Sequence, residues 1–124
     1  MADRSRPMTN VELVDSLCAV STPLSEARRV HMGAHGCLIP HVFMGDVLHR
    51  IGECLGARNA LDPSVHRREV EGILAALERG MSAGGRETRN VIALSFTRDS
   101  ELEVFFEELR PMMGPCTRAQ LAGR

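Results

Sequence analysis

Asn90-Val91-Ile92-Ala93-Leu94-Ser95-Phe96 is the stretch whose reading decides the fold of this chain. It runs with almost no polar interruption, so a buried strand and a central helix both fit it. A lone strand would find no partner elsewhere in the sequence, and an unpartnered strand is not stable in water. The run is therefore read as the middle of a helix over 86–98. Upstream of it, Met81 to Gly85 reads as a short flexible loop. Before that loop, Asp62-Pro63 supplies an N-cap and a proline at the first helical position. His66, Val70, Ile73, Leu74 and Leu77 line the helix that follows, and Gly80 is expected to end it. Downstream, Ser100 and Glu103 have capping-box spacing, and Leu102, Phe105, Phe106 and Leu109 form an apolar stripe. Pro111 and Gly114-Pro115 stop that helix and leave room for a short terminal one around 117–122.

The N-terminal half has the same character. Asn10 is a plausible N-cap for a helix over about 10–20, in which Val11, Val14, Leu17 and Cys18 recur at helical spacing. Ser21-Thr22-Pro23 stops it. Ser25 to His31 offers one or two further turns before Gly33 and Gly36 interrupt the pattern. From His41 to Leu55, Met44, Val47, Leu48, Ile51 and Leu55 share one face, opposite Asp46, His49, Arg50 and Glu53, and Gly56 is placed to cap the end. These segments predict an all-α fold: a single-domain bundle of about five short helices over 10–124, with stacked antiparallel helix pairs as one arrangement. Residues 1–9 are expected to form a flexible N-terminal segment.

Composition narrows the function classes. The chain has 124 residues, a formal net charge of -1, 44% hydrophobic and 25% charged residues, which is ordinary globular usage. All fifteen basic residues are arginine, a bias that GC-rich codon usage explains and that associates the chain with a high-GC bacterium. The arginines alternate with acids, so no basic stripe exists to neutralise successive phosphates, and nucleic acid is not an expected partner. No apolar run approaches the roughly 20 residues that span a bilayer, so no membrane association is expected. The polar start Met1-Ala2-Asp3-Arg4-Ser5-Arg6-Pro7 lacks a secretory pattern, and the expected location is the cytoplasm. Cys18, Cys37, Cys54 and Cys116 are widely spaced without a Cys-x-x-Cys pair, so disulfides are not expected. Cys18 and Cys54 fall on apolar helix faces, where a thiol behaves as a small hydrophobe.

Chemistry concentrates in His31-Met32-Gly33-Ala34-His35-Gly36-Cys37-Leu38-Ile39-Pro40-His41. His31, His35, Cys37 and His41 carry the imidazole and thiolate donors that zinc favours, although their spacing matches no known finger. The plainer reading is a glycine-rich loop with partly exposed imidazoles. A nucleophilic Cys37, activated by His35 or His41 with Asp46 orienting the base, is a further option without a supporting signature. His41, following Pro40, reads first as a cap or packing residue of its helix. Asp46, His49 and Glu53 could form an acid–base set, but such a set is far more often a solvated helix face.

Ile39-Pro40-His41-Val42-Phe43-Met44-Gly45-Asp46, then Asn90 to Phe96, then Leu109 with Met113-Gly114-Pro115, resemble a family of small bacterial all-helical domains of unknown function. The resemblance spans roughly 37–121. It implies an all-helical cytoplasmic domain whose Pro-His-x-Phe-x-Gly-Asp element opens a helix and whose Asn-x-Ile-Ala-x-Ser-Phe element is central to the packing. It implies no activity and assigns no role to His31, His35 or Cys37. Members resemble bacterial immunity proteins in size and composition. The expected function is thus a non-enzymatic, protein-binding module of the immunity or antitoxin-like type, with homo-oligomerisation compatible. The rivals are a metal-binding or small-ligand protein built on 31–41 and an enzyme of unknown reaction. Arg67, Arg68, Glu71, Glu78 and Arg79 are candidates for a polar interface rim.

Overall fold

A capping box opens the first helix, α1 (Asn10–Val20): Thr9 Oγ1 accepts from the Glu12 amide at 3.2 Å, and Glu12 Oε1 accepts from the Thr9 amide at 3.0 Å. The cap is therefore Thr9, one residue before the predicted Asn10. Asn10 turns its side chain elsewhere: Nδ2 donates to Glu87 (3.1 Å), and Oδ1 accepts from the Thr88 hydroxyl (2.8 Å). The computed structural model describes residues 6–57, 62–98 and 105–122 of the chain.

Ser21 ends α1 and caps α2 (Thr22–His35), its hydroxyl accepting from the Leu24 amide at 3.3 Å. This helix is twice as long as the sequence predicts. Gly33 stays inside it, because the roughly 1 kcal/mol that an interior glycine costs is a weak preference that tertiary packing overrides. Gly36 is the true terminus, at φ 76°, with its amide donating to the Met32 carbonyl. α3 (Pro40–Gly56) and α4 (Pro63–Ala83) follow, the latter capped by Asp62 as predicted.

Gly80 does not end α4. It lies buried within it, where a Cβ would sit 2.6 Å from Ile92 Cδ1 and 3.1 Å from Leu13 Cδ1. The missing side chain lets α1, α4 and α5 (Arg86–Arg98) converge, so this glycine serves close packing rather than termination. The run that decided the fold is helical. Its Val91 and Ile92 are buried while Leu94 is 40% exposed, an amphipathic face that uninterrupted hydrophobicity concealed. The chain closes with α6 (Phe106–Leu109), a 3₁₀ turn (Arg110–Met112) and α7 (Pro115–Ala122). The predicted Ser100–Glu103 capping box lies outside the described residues.

α4 is the central element, packed against α1, α3, α5 and α7. Leu13, Leu17, Phe43, Val47, Ile51, Val70, Ile73, Leu77 and Ile92 meet in one core and are almost wholly removed from water. The result is an all-α single domain with seven α-helices among the described residues, rather than about five. No helix among those residues is long and apolar enough to cross a membrane.

Two positions, one expected to be loose and one expected on an exposed rim, are tied down. Met8, in the predicted flexible segment, bridges to Gly84: its amide donates to the Ala83 carbonyl (2.8 Å), and its carbonyl accepts from the Thr88 hydroxyl (3.2 Å). Glu78, expected on an exposed rim, turns inward instead. Its carboxylate accepts from the Cys116 amide (3.0 Å), the Thr117 amide (2.9 Å) and the Thr117 hydroxyl (2.9 Å), capping α7 from a distance. Gly114 makes room for it, since a Cβ there would lie 2.4 Å from Glu78 Cγ.

That carboxylate gives the first testable expectation. Burial raises its pKa, but the hydrogen bonds from Thr117 and Cys116 outweigh burial and hold it below the ordinary value near 4.5. A lowered native pKa contributes stability that is complete above the unfolded value and lost as pH falls through the native one. Urea midpoints should therefore fall as pH drops below about 4.5, and Glu78→Gln should flatten part of that acid limb while weakening the protein at neutral pH. An unchanged acid limb in the variant would show that Glu78 gains nothing from its cap.

Candidate functional site

The four residues of the 31–41 segment are not brought together. His31 is buried, and its Nε2 accepts from the Ile39 amide at 2.9 Å. Its ring also stands 4.6 Å from the His35 ring and 5.9 Å, edge-on, from Phe43. His35, Cys37 and His41 are exposed. No three of the four place donor atoms within 4.8 Å of one another, so this segment shows no metal-like group among the described residues. Helix geometry is the reason: α2 continues to His35 and turns His31 inward, while Gly36 redirects the chain before Cys37. His41 does not cap α3 either. Ile39 occupies the N-cap position without a side-chain cap, and it is His31, from the preceding helix, that takes up the Ile39 amide.

Asp46, His49 and Glu53 lie on an exposed face of α3. His49 Nε2 approaches Glu53 at 3.8 Å with both side chains more than half exposed, a solvated contact of small energetic weight. Arg50, assigned by pattern to that same face, departs from it. Its side chain is only 19% exposed and reaches Glu69 on α4, which is 11% exposed.

Around that pair the structure assembles a polar hub between three elements. Arg50 Nε donates to Glu69 Oε2 (2.6 Å) and Nη2 to Oε1 (2.8 Å), a bidentate, charge-assisted pair. Ser21, at the α1–α2 corner, donates to Oε2 at 2.6 Å. The Arg50 hydrogen bonds lower the Glu69 pKa against the opposing effect of burial, and the same contact raises that of Arg50. Cys54, one turn beyond Arg50, is buried beside the carboxylate. Burial first, then the Glu69 charge, push its thiol up to about 11. It is therefore protonated at neutral pH and is not an activated nucleophile.

His66 completes the group. A nitrogen of its ring, Cys54 Sγ and a Glu69 oxygen all lie within 4.8 Å of one another. His66 Nδ1 is buried without a hydrogen-bond partner, the one such side-chain atom among the described residues. Native proteins satisfy nearly all buried polar atoms, so the exception calls for an explanation. A cleft of about 430 Å³ opens on Cys54, walled also by Pro63, Ser64, Arg67 and Met112. A second, of about 390 Å³, opens on Ser21 and Glu69.

Sequence reasoning placed His66 on the core line of α4 and Cys54 on that of α3, but did not connect them and did not single out Glu69. The available signal was positional. Glu69 follows His66 by three residues and precedes Ile73 by four, so both border the buried face. Compared with known protein families, curated proteins and solved structures, the chain matches none.

Proposed function

We propose that this domain is a non-enzymatic protein-binding module of the immunity or antitoxin type. The observation that carries the reading is an apolar slot of about 280 Å³ between α1 and α2, lined by Val11, Val14, Met32 and Leu38, with Arg28 at its edge. Val11 is 58% and Met32 42% exposed, a large apolar outlay for side chains that face water in the free domain. The slot falls below the roughly 300–1,000 Å³ of small-molecule sites. It suits one aliphatic or aromatic anchor projecting from a protein partner, the contact type that dominates interface energetics. Met32 adds an adaptable wall, and the exposed Arg28–Asp15 pair (2.6 Å) provides a polar rim.

The test is co-purification of untagged protein from its native host, comparing wild type with Val11→Glu/Met32→Glu. A stoichiometric protein partner held by the wild type and lost by an equally helical double variant is the expected result. A wild type that stays alone, or a partner retained by the variant, would overturn the proposal.

A further inference from the structure

We propose that Cys54, His66 and Glu69 form a binding site for one transition-metal ion of the zinc class, held between the end of α3 and the start of α4. The donor set is a thiol, an imidazole and a carboxylate, the three ligand types that zinc takes in proteins, already gathered within 4.8 Å. The arrangement owes nothing to sequence proximity between Cys54 and the other two. His66 and Glu69 share a face of α4 because they are three residues apart, and the α3–α4 packing brings Cys54 to that face.

Three features make this more than an accidental cluster. His66 Nδ1 is buried and unpartnered, so the ring retains binding capacity that the protein itself leaves unused. Glu69 is oriented before any ion arrives: Arg50 and Ser21 donate three hydrogen bonds to its two oxygens. An ionised carboxylate has about four acceptor positions, and the remaining one faces the Cys54 thiol, whose proton an ion would replace. Such outer partners are how metal sites fix their ligands. Finally, Cys54 forms part of the wall of the 430 Å³ cleft, so the thiol side of the group borders open space.

Bond lengths of about 2.0–2.3 Å place tetrahedral ligand atoms roughly 3.5 Å apart, so the donors must close by about 1 Å, within the range of side-chain rotation. Binding balances simply. The Cys54 thiol loses its proton to solvent, the thiolate and neutral His66 each donate an electron pair to the divalent ion, and Glu69 contributes a carboxylate oxygen while keeping Arg50. Nothing is oxidised or reduced. The site is independent of the α1–α2 slot, so neither proposal stands or falls with the other.

Cobalt(II) is the probe, titrated into untagged, reduced, chelator-free protein and followed by its thiolate charge-transfer and visible absorption. The expected result is saturation at about one equivalent, displacement by zinc, loss of the charge-transfer band in Cys54→Ala, and at least about tenfold weaker binding in His66→Ala. Cys37→Ser, on the exposed α2–α3 turn, should bind as the wild type does. Circular dichroism confirms that each variant is folded, and two independent ligand variants guard against the loss of one. No charge-transfer band in the wild type, a band that survives Cys54→Ala, or one abolished by Cys37→Ser would overturn the proposal, the last by moving the site to residues 31–41.

Discussion

Arg50→Ala is expected to lower the unfolding free energy by about 3 kcal/mol, the low end of the cost of orphaning a buried charge, because this pair is part-buried. Glu69 would remain with Ser21 but without either guanidinium hydrogen bond, at a position where its side chain is only 11% exposed. Against the roughly 5–15 kcal/mol of total stability usual for a domain, that is a large fraction, and the thermal midpoint should fall by more than about 10 °C. Thermal and urea unfolding followed by far-UV circular dichroism give the answer. The chain has no tryptophan or tyrosine, so its own fluorescence cannot report the transition. A loss under about 1 kcal/mol would place the pair with ordinary surface ion pairs. Arg50→Met combined with Glu69→Met should be less destabilised than the two single losses added together, because the orphaned charge is then gone.

Phe43→Ala should cost a similar amount by a different route. Phe43 is fully buried on α3, and removing so large a side chain loses its transfer free energy and opens a cavity, about 3–5 kcal/mol in all. It also removes the edge-on neighbour of the His31 ring, and His31 is what accepts the Ile39 amide at the start of α3. The loss should therefore have a local signature. Amide exchange at Ile39 is expected to accelerate beyond what the fall in global stability accounts for, whereas an equally destabilising Ile73→Ala, placed on α4, should leave that excess absent. Equal exchange in the two variants would show that the α2–α3 turn does not depend on this ring.

What could be read from the sequence was the periodic part. Val47, Leu48, Ile51 and Leu55 on α3, and Val70, Ile73, Leu74 and Leu77 on α4, are buried as their spacing predicts. Helical repeat is a local property and needs no knowledge of the partner helix. Glycines were harder because one residue type serves opposite ends: Gly36 terminates a helix at positive φ, while Gly80 lets three helices approach. Which of these a glycine does is decided by what stands opposite it in space.

The same limit explains the site. His31, His35, Cys37 and His41 are dense along the chain, and density drew the metal expectation to them, yet the helix and its turn send them in different directions. Cys54, His66 and Glu69 are scattered among ordinary amphipathic positions and meet only because α3 packs on α4. Arg50 was misread for a related reason. It is three residues after Val47 and four before Cys54, at the border of the apolar face, where the neighbouring helix decides whether a charge faces water or another charge. Glu78 is parallel: nothing near it in sequence announces that α7 starts at its carboxylate.

The bridge from Met8 to Gly84 bears on the order in which the molecule assembles. It joins positions separated by all of α1 to α4, and closing so long a loop carries an entropic cost that its two backbone hydrogen bonds and the one from the Thr88 hydroxyl do not repay alone. The strap therefore belongs after the nucleus, once α1 and α4 already hold the two ends close. Interactions absent from the transition state govern the rate of unfolding more than that of folding. Met8 and Thr88 thus act as a late latch, setting how long the native state persists rather than how fast it is found.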